Sequence, residues 1–133
     1  MITKEQVMPL LLDACPSFTE KWQKHLAYWD GKNLLYNDLS EFNAHLFELH
    51  KNKQVEEFPE VFDVVEKLHL EGDDHVKEAA TIGLLEGIQN AASHAEDFVQ
   101  YLGTESEKRW FQLNDFWQGR IPSVGTVVDE KVK

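Results

Sequence analysis

The 133-residue sequence contains a single cysteine, Cys15. No intramolecular disulfide can form, which favours a reducing compartment. No apolar run approaches the ~18 residues that a membrane-spanning helix requires. The N-terminus lacks a basic stretch followed by an apolar core. Val7 to Leu12 is short and has acids on both sides, so no signal peptide is predicted and a cytoplasmic location is expected. There is no glycine-rich turn with a lysine to cradle phosphate, and no His-Glu-x-x-His pair for zinc. Basic residues are also scarce, with 13 Lys and Arg against 24 Asp and Glu. That balance argues against direct binding to nucleic acid or an anionic membrane. No catalytic constellation remains, so neither an enzymatic activity nor a cofactor is predicted.

What the chain does have is clustered negative charge. Residues 1–37 hold 4 acids and 4 bases, and residues 98–133 hold 5 of each. The central 60 residues, 38–97, hold 15 acids and 4 bases, which accounts for the whole net charge of −11. Such a field suits a basic protein partner.

Apolar spacing and helix punctuation predict an all-α protein. About seven short antiparallel helices are expected, in one compact bundle or helical-hairpin stack, at roughly 4–14, 18–30, 38–52, 59–71, 74–92, 94–102 and 105–118. Residues 1–119 form the domain and 120–133 an extended tail, in which Thr126–Val128 is the one candidate strand. Capping boxes are predicted at Thr3–Gln6, Ser17–Glu20, Ser93–Glu96 and Thr104–Glu107, and helix stops at Pro16, Gly31, Gly72, Gly103 and Gly119. The small stripe Ala79, Ala80, Gly83 and Gly87 predicts close approach of a neighbouring helix. The aromatics of the second and last helices, among them Trp22, Tyr28, Trp29, Trp110, Phe111, Phe116 and Trp117, are expected mostly in the core.

The candidate partner-binding residues are Glu60, Asp63, Glu66, Glu71, Asp73, Asp74 and Glu86. Glu60 and Asp63 follow a stripe opposite the valines of the fourth helix. Asp73 and Asp74 have a local role, one capping the next helix and one favouring its positive end. Glu66 and Glu71 sit towards a helix C-terminus, where negative charge is unfavourable. The fold alone gives them no evident role, which makes them the stronger markers of a partner. Glu86 lies beside the small stripe as a recessed acid. A rival reading gathers Glu66, His69 and His75 into the metal site of a helical-bundle enzyme. Another takes the aromatic surface as a dimer contact. Cys15, beside a proline in an apolar setting, reads as a buried inert thiol.

Three segments carry a resemblance: Leu11-Leu-x-Ala-Cys-Pro-Ser-Phe18 followed by Trp22; Leu68-x-x-Glu-Gly-Asp-Asp-x-Val76 followed by Gly83-Leu-Leu-Glu86; and the run from Leu102 to Gly119, with Thr104, Arg109, Trp110 and Trp117. Together they resemble an uncharacterised family of small all-helical bacterial proteins. Some of these look like immunity proteins of polymorphic or contact-dependent toxin systems. The resemblance implies an inhibitor that covers a basic toxin or effector domain, such as a nuclease. It carries over no catalytic residue.

Overall fold

A computed structural model describes residues 1–30 and 34–117. The predicted tail, its candidate strand, and Gly31 and Gly119 lie outside the described residues. The described residues contain seven α-helices: α1 (Lys4–Ala14), α2 (Thr19–Tyr28), α3 (Leu35–Lys51), α4 (Phe58–Glu71), α5 (Asp74–Glu78), α6 (Gly87–Ala91) and α7 (Thr104–Trp117). A π-helical segment, Ala79–Glu86, joins α5 to α6 without a break. Short 3-10 turns occupy Pro16–Phe18 and Ala95–Tyr101. Among the described residues the only extended pairing is an isolated bridge between Ile2 and Gly72.

The helices form because their apolar residues recur on one face. α1 buries Val7, Met8, Leu11 and Ala14, and α3 buries Leu39, Phe42, Leu46 and Leu49. α4 buries Phe58, Val61, Phe62, Val65 and Leu68, so helical periodicity overrides the sheet preference of its valines. Pro59 sits in the first turn of α4, where its missing N–H has no helical partner to lose. α4 packs on α1, α5 and α7, while the π segment packs on α3 and α7.

The glycine stripe works as the sequence predicts. A Cβ on Gly83 would lie 2.8 Å from Leu39 Cδ1, and one on Gly87 2.6 Å from Asn43 Nδ2. The continuous helix expected over 74–92 nevertheless changes winding in its middle. There Asn43 Nδ2 donates to the carbonyls of Gly83 and Leu84, at 3.1 and 3.3 Å.

Three other expectations are corrected. Of the predicted capping boxes, only Thr3–Gln6 forms, with Thr3 N–H donating to Gln6 Oε1 at 2.8 Å. Ser17 turns its hydroxyl to Glu57, and the 94–102 segment is a 3-10 turn entered through His94 at φ 58°. In that tighter winding, positions three apart eclipse, which sets Phe98 and Tyr101 together on Phe58 and Phe62. Finally, the aromatic core is Phe18, Phe42, Phe58, Phe62, Phe98 and Trp110, with Trp22 packed against it; of the aromatics expected inside, Tyr28, Trp29, Phe111 and Trp117 are exposed.

Candidate functional site

The predicted acidic residues divide into two groups. Glu60, Asp63 and Glu71 are exposed along the outer side of α4. There they border a groove against α1, to which α1 contributes Glu5, Pro9, Leu10 and Asp13. Five carboxylates thus face one lysine, Lys67. Glu5 and Asp13 belong to the charge-balanced first segment, so bulk charge concealed them. Their spacing with Pro9, four residues apart on one helical stripe, is the signal that reveals them.

The other acids have local or internal roles. Asp73 caps α5, accepting from Val76 N–H at 2.9 Å, and Asp74 lies in the first turn of that helix, as expected. Glu86 is half-buried and accepts from Trp117 Nε1 at 3.0 Å. Glu66 is the clearest correction. Its carboxylate reaches the start of α7, accepting the amides of Glu105 and Ser106 and the Ser106 hydroxyl, each at 2.9 Å. The fold therefore does require it, as the cap of a helix distant in sequence, in place of the predicted Thr104–Glu107 box. Burial opposes ionisation of Glu66, but these donors outweigh it and hold the carboxyl below its usual range.

Glu66 ends a directed chain of hydrogen bonds. Arg109 only donates, so Thr81 Oγ1 accepts from its Nη1 at 3.0 Å and passes its own proton to His69 Nε2 at 3.1 Å. His69 Nδ1–H donates to Ser106 Oγ at 3.0 Å, and Ser106 donates to Glu66. Burial, and then the Arg109 cation, depress His69 to about 4, which keeps the imidazole neutral as this chain requires. His75, the third member of the rival metal reading, lies elsewhere, edge-on to Tyr36. The three residues do not converge.

A second cluster went unseen in the sequence. It gathers Cys15, Ser17, Lys21, His45 and Glu57, which lie up to 42 positions apart. Lys21 Nζ donates to His45 Nδ1 at 3.1 Å, so Nε2 carries the ring proton and donates to Ser17 Oγ at 2.8 Å. Ser17 then donates to Glu57 Oε1 at 2.5 Å. A nucleophilic serine needs an imidazole that accepts its proton, and here the polarity is reversed. Burial and the neighbouring Glu57 carboxylate push the Cys15 thiol up to about 12. Cys15, His45 and Glu57 have the composition of a metal site, with donor atoms within 4.8 Å of one another. The Ser17 hydroxyl already contacts all three, and the Lys21 ammonium stands against the far nitrogen of His45. In both clusters a glutamate accepts the amide and the hydroxyl of a serine on another element, so both tie the fold together.

The remaining feature is a cavity of about 560 Å³ between α1 and the start of α3, walled by Met8, Leu12, Trp22 and Leu35. Buried Asp38 lines it and accepts from His25 Nε2 at 2.8 Å. Burial raises the Asp38 pKa, and His25 partly offsets the rise.

No helix among the described residues is long and apolar enough to cross a membrane. No curated protein and no solved structure matches the chain. One family model, described as "Domain of unknown function (DUF7674)", matches residues 8–118, from within α1 to the end of α7. Since that match covers most of the chain, the chain belongs to the DUF7674 family.

Proposed function

We propose that the protein is a binding module that neutralises a cationic protein domain, in the manner of an immunity protein, with the α1–α4 groove as its contact surface. The observation that carries this reading is the convergence of Glu5, Asp13, Glu60, Asp63 and Glu71 on one groove with a single lysine. Complementary charge accelerates encounter and discriminates against acidic partners, while buried contacts set the lifetime of the complex. An inhibitor that covers a basic substrate cleft needs no chemistry of its own. Glu66 and Glu86 are not part of this surface, because their carboxylates serve α7 and Trp117.

The test is co-expression in a bacterial host with the effector encoded by the adjacent gene. Wild-type protein should preserve growth, and the triple variant Glu60→Lys, Asp63→Lys, Glu71→Lys should not, with its helical circular dichroism unchanged. Equal protection by the triple variant would remove the groove from the proposal. Failure of the wild type to protect would remove the immunity role.

A further inference from the structure

We infer that the cavity beside α1 receives one large apolar, uncharged side chain of the same partner whose basic residues occupy the groove. This rests on the binding reading above. The cavity and the groove are neighbours across a single ridge, since Glu5 and Pro9 of α1 line both. A segment crossing that ridge meets both depressions.

The ridge itself offers an acceptor. Pro9 stands inside α1, and a proline has no N–H to give the carbonyl four residues back. The Glu5 carbonyl therefore lacks its helical donor at the crest. An interior proline costs a helix roughly 3 kcal/mol, and Pro9 is an exposed one. A backbone amide or a basic side chain of a partner would satisfy the Glu5 oxygen.

The cavity has the size and chemistry of an anchor pocket. Its 560 Å³ falls within the roughly 300–1,000 Å³ of ligand-binding cavities. Leu34 and Tyr36, 53% and 39% exposed, add apolar surface to its lining. A cation is not the favoured occupant. Asp38 is already paired with His25, and the lining sets Lys4 and His75 against Glu5, which leaves no acidic excess like that of the groove. Cations belong in the groove, and the pocket takes the apolar group, which is the arrangement of a buried anchor with a charged surround.

The test uses three nine-residue peptides titrated into the full chain and followed by NMR at the Met8 and Leu12 methyls. The first has a central phenylalanine flanked by lysines, the second replaces phenylalanine with glycine, and the third replaces the lysines with glutamates. The lysine–phenylalanine peptide should bind about tenfold more tightly than the glycine peptide and alone should shift the Met8 and Leu12 signals. Leu12→Trp should fill the pocket and abolish that preference. Leu34→Trp, on the exposed edge, serves the same purpose if the first variant fails to fold. Equal affinity of the phenylalanine and glycine peptides overturns the anchor and leaves the groove standing. Binding of the glutamate peptide as tightly as its lysine counterpart overturns the charge reading, and with it the pairing of pocket and groove. Absence of binding by all three overturns both.

Discussion

Gly103 is a glycine because Glu66 lies against it: a Cβ at position 103 would sit 2.6 Å from the Glu66 carboxyl carbon. The carboxylate must come this close to reach the amides of Glu105 and Ser106. Gly103→Ala should therefore cost about 1–3 kcal/mol in the wild type. In a Glu66→Ala background the same change should cost much less, because the colliding group is gone. Glu66→Ala alone should cost about 2–4 kcal/mol, since it leaves buried donors unpaired. Urea unfolding of the four proteins measures this coupling, and strict additivity would refute it.

His69 makes stability depend on pH in a defined window. Its folded pKa of about 4 lies below the 6.5 of a free imidazole. Between those values the unfolded chain binds a proton that the folded chain does not. Stability should fall as pH drops from 6.5 towards 4, by roughly 3 kcal/mol from this residue, and no further from it below 4. The depressed Glu66 adds a loss in the same direction as pH falls through its own folded value. Denaturant unfolding at several pH values should give a flatter profile for His69→Gln than for the wild type.

Gly87→Ala should destabilise the protein, although alanine is the better helix former by about 1 kcal/mol. The new methyl would lie 2.6 Å from Asn43 Nδ2, which is buried and would have to give up its bonds to two carbonyls to move aside. With Asn43→Ala present, the sign should reverse and Gly87→Ala should stabilise. Thermal unfolding of both pairs decides the matter.

Cys15 should resist alkylation in the folded protein. With its thiol at about 12, only on the order of one molecule in 10⁴ carries the thiolate at pH 8. Iodoacetamide labelling followed by mass spectrometry should be negligible until denaturant is added. Rapid labelling under native conditions would contradict the buried, hydrogen-bonded thiol.

The fold was legible where apolar spacing repeats within one element. The buried face of α3, the valine-rich α4 and the small stripe met by α3 all follow from periods that a single helix displays. Half of the groove was legible for the same reason, because Glu60 and Asp63 share a stripe. The rest depends on pairings between distant elements. Nothing local tells Glu66 from Glu71, yet one is turned inward to α7 and the other outward to α1. Ser17 fits a capping box as well as it fits Glu57, and only the approach of α4 decides between them. The switch to π winding depends on no local pattern that distinguishes it from an α-helix.

The bridge at Ile2 ties the beginning of the chain to its middle. Ile2 N–H donates to the Glu71 carbonyl at 2.8 Å, and Asp73 N–H donates to the Ile2 carbonyl at 2.9 Å. These partners are separated by about 70 positions, several seconds of synthesis at typical ribosomal rates. During that interval α1 has been made but has no surface on which to lay Val7, Met8 and Leu11. The groove has α1 as one wall and α4 as the other, so it does not exist until the latch closes. A nascent or truncated chain would lack this surface altogether until the ribosome has delivered the second wall.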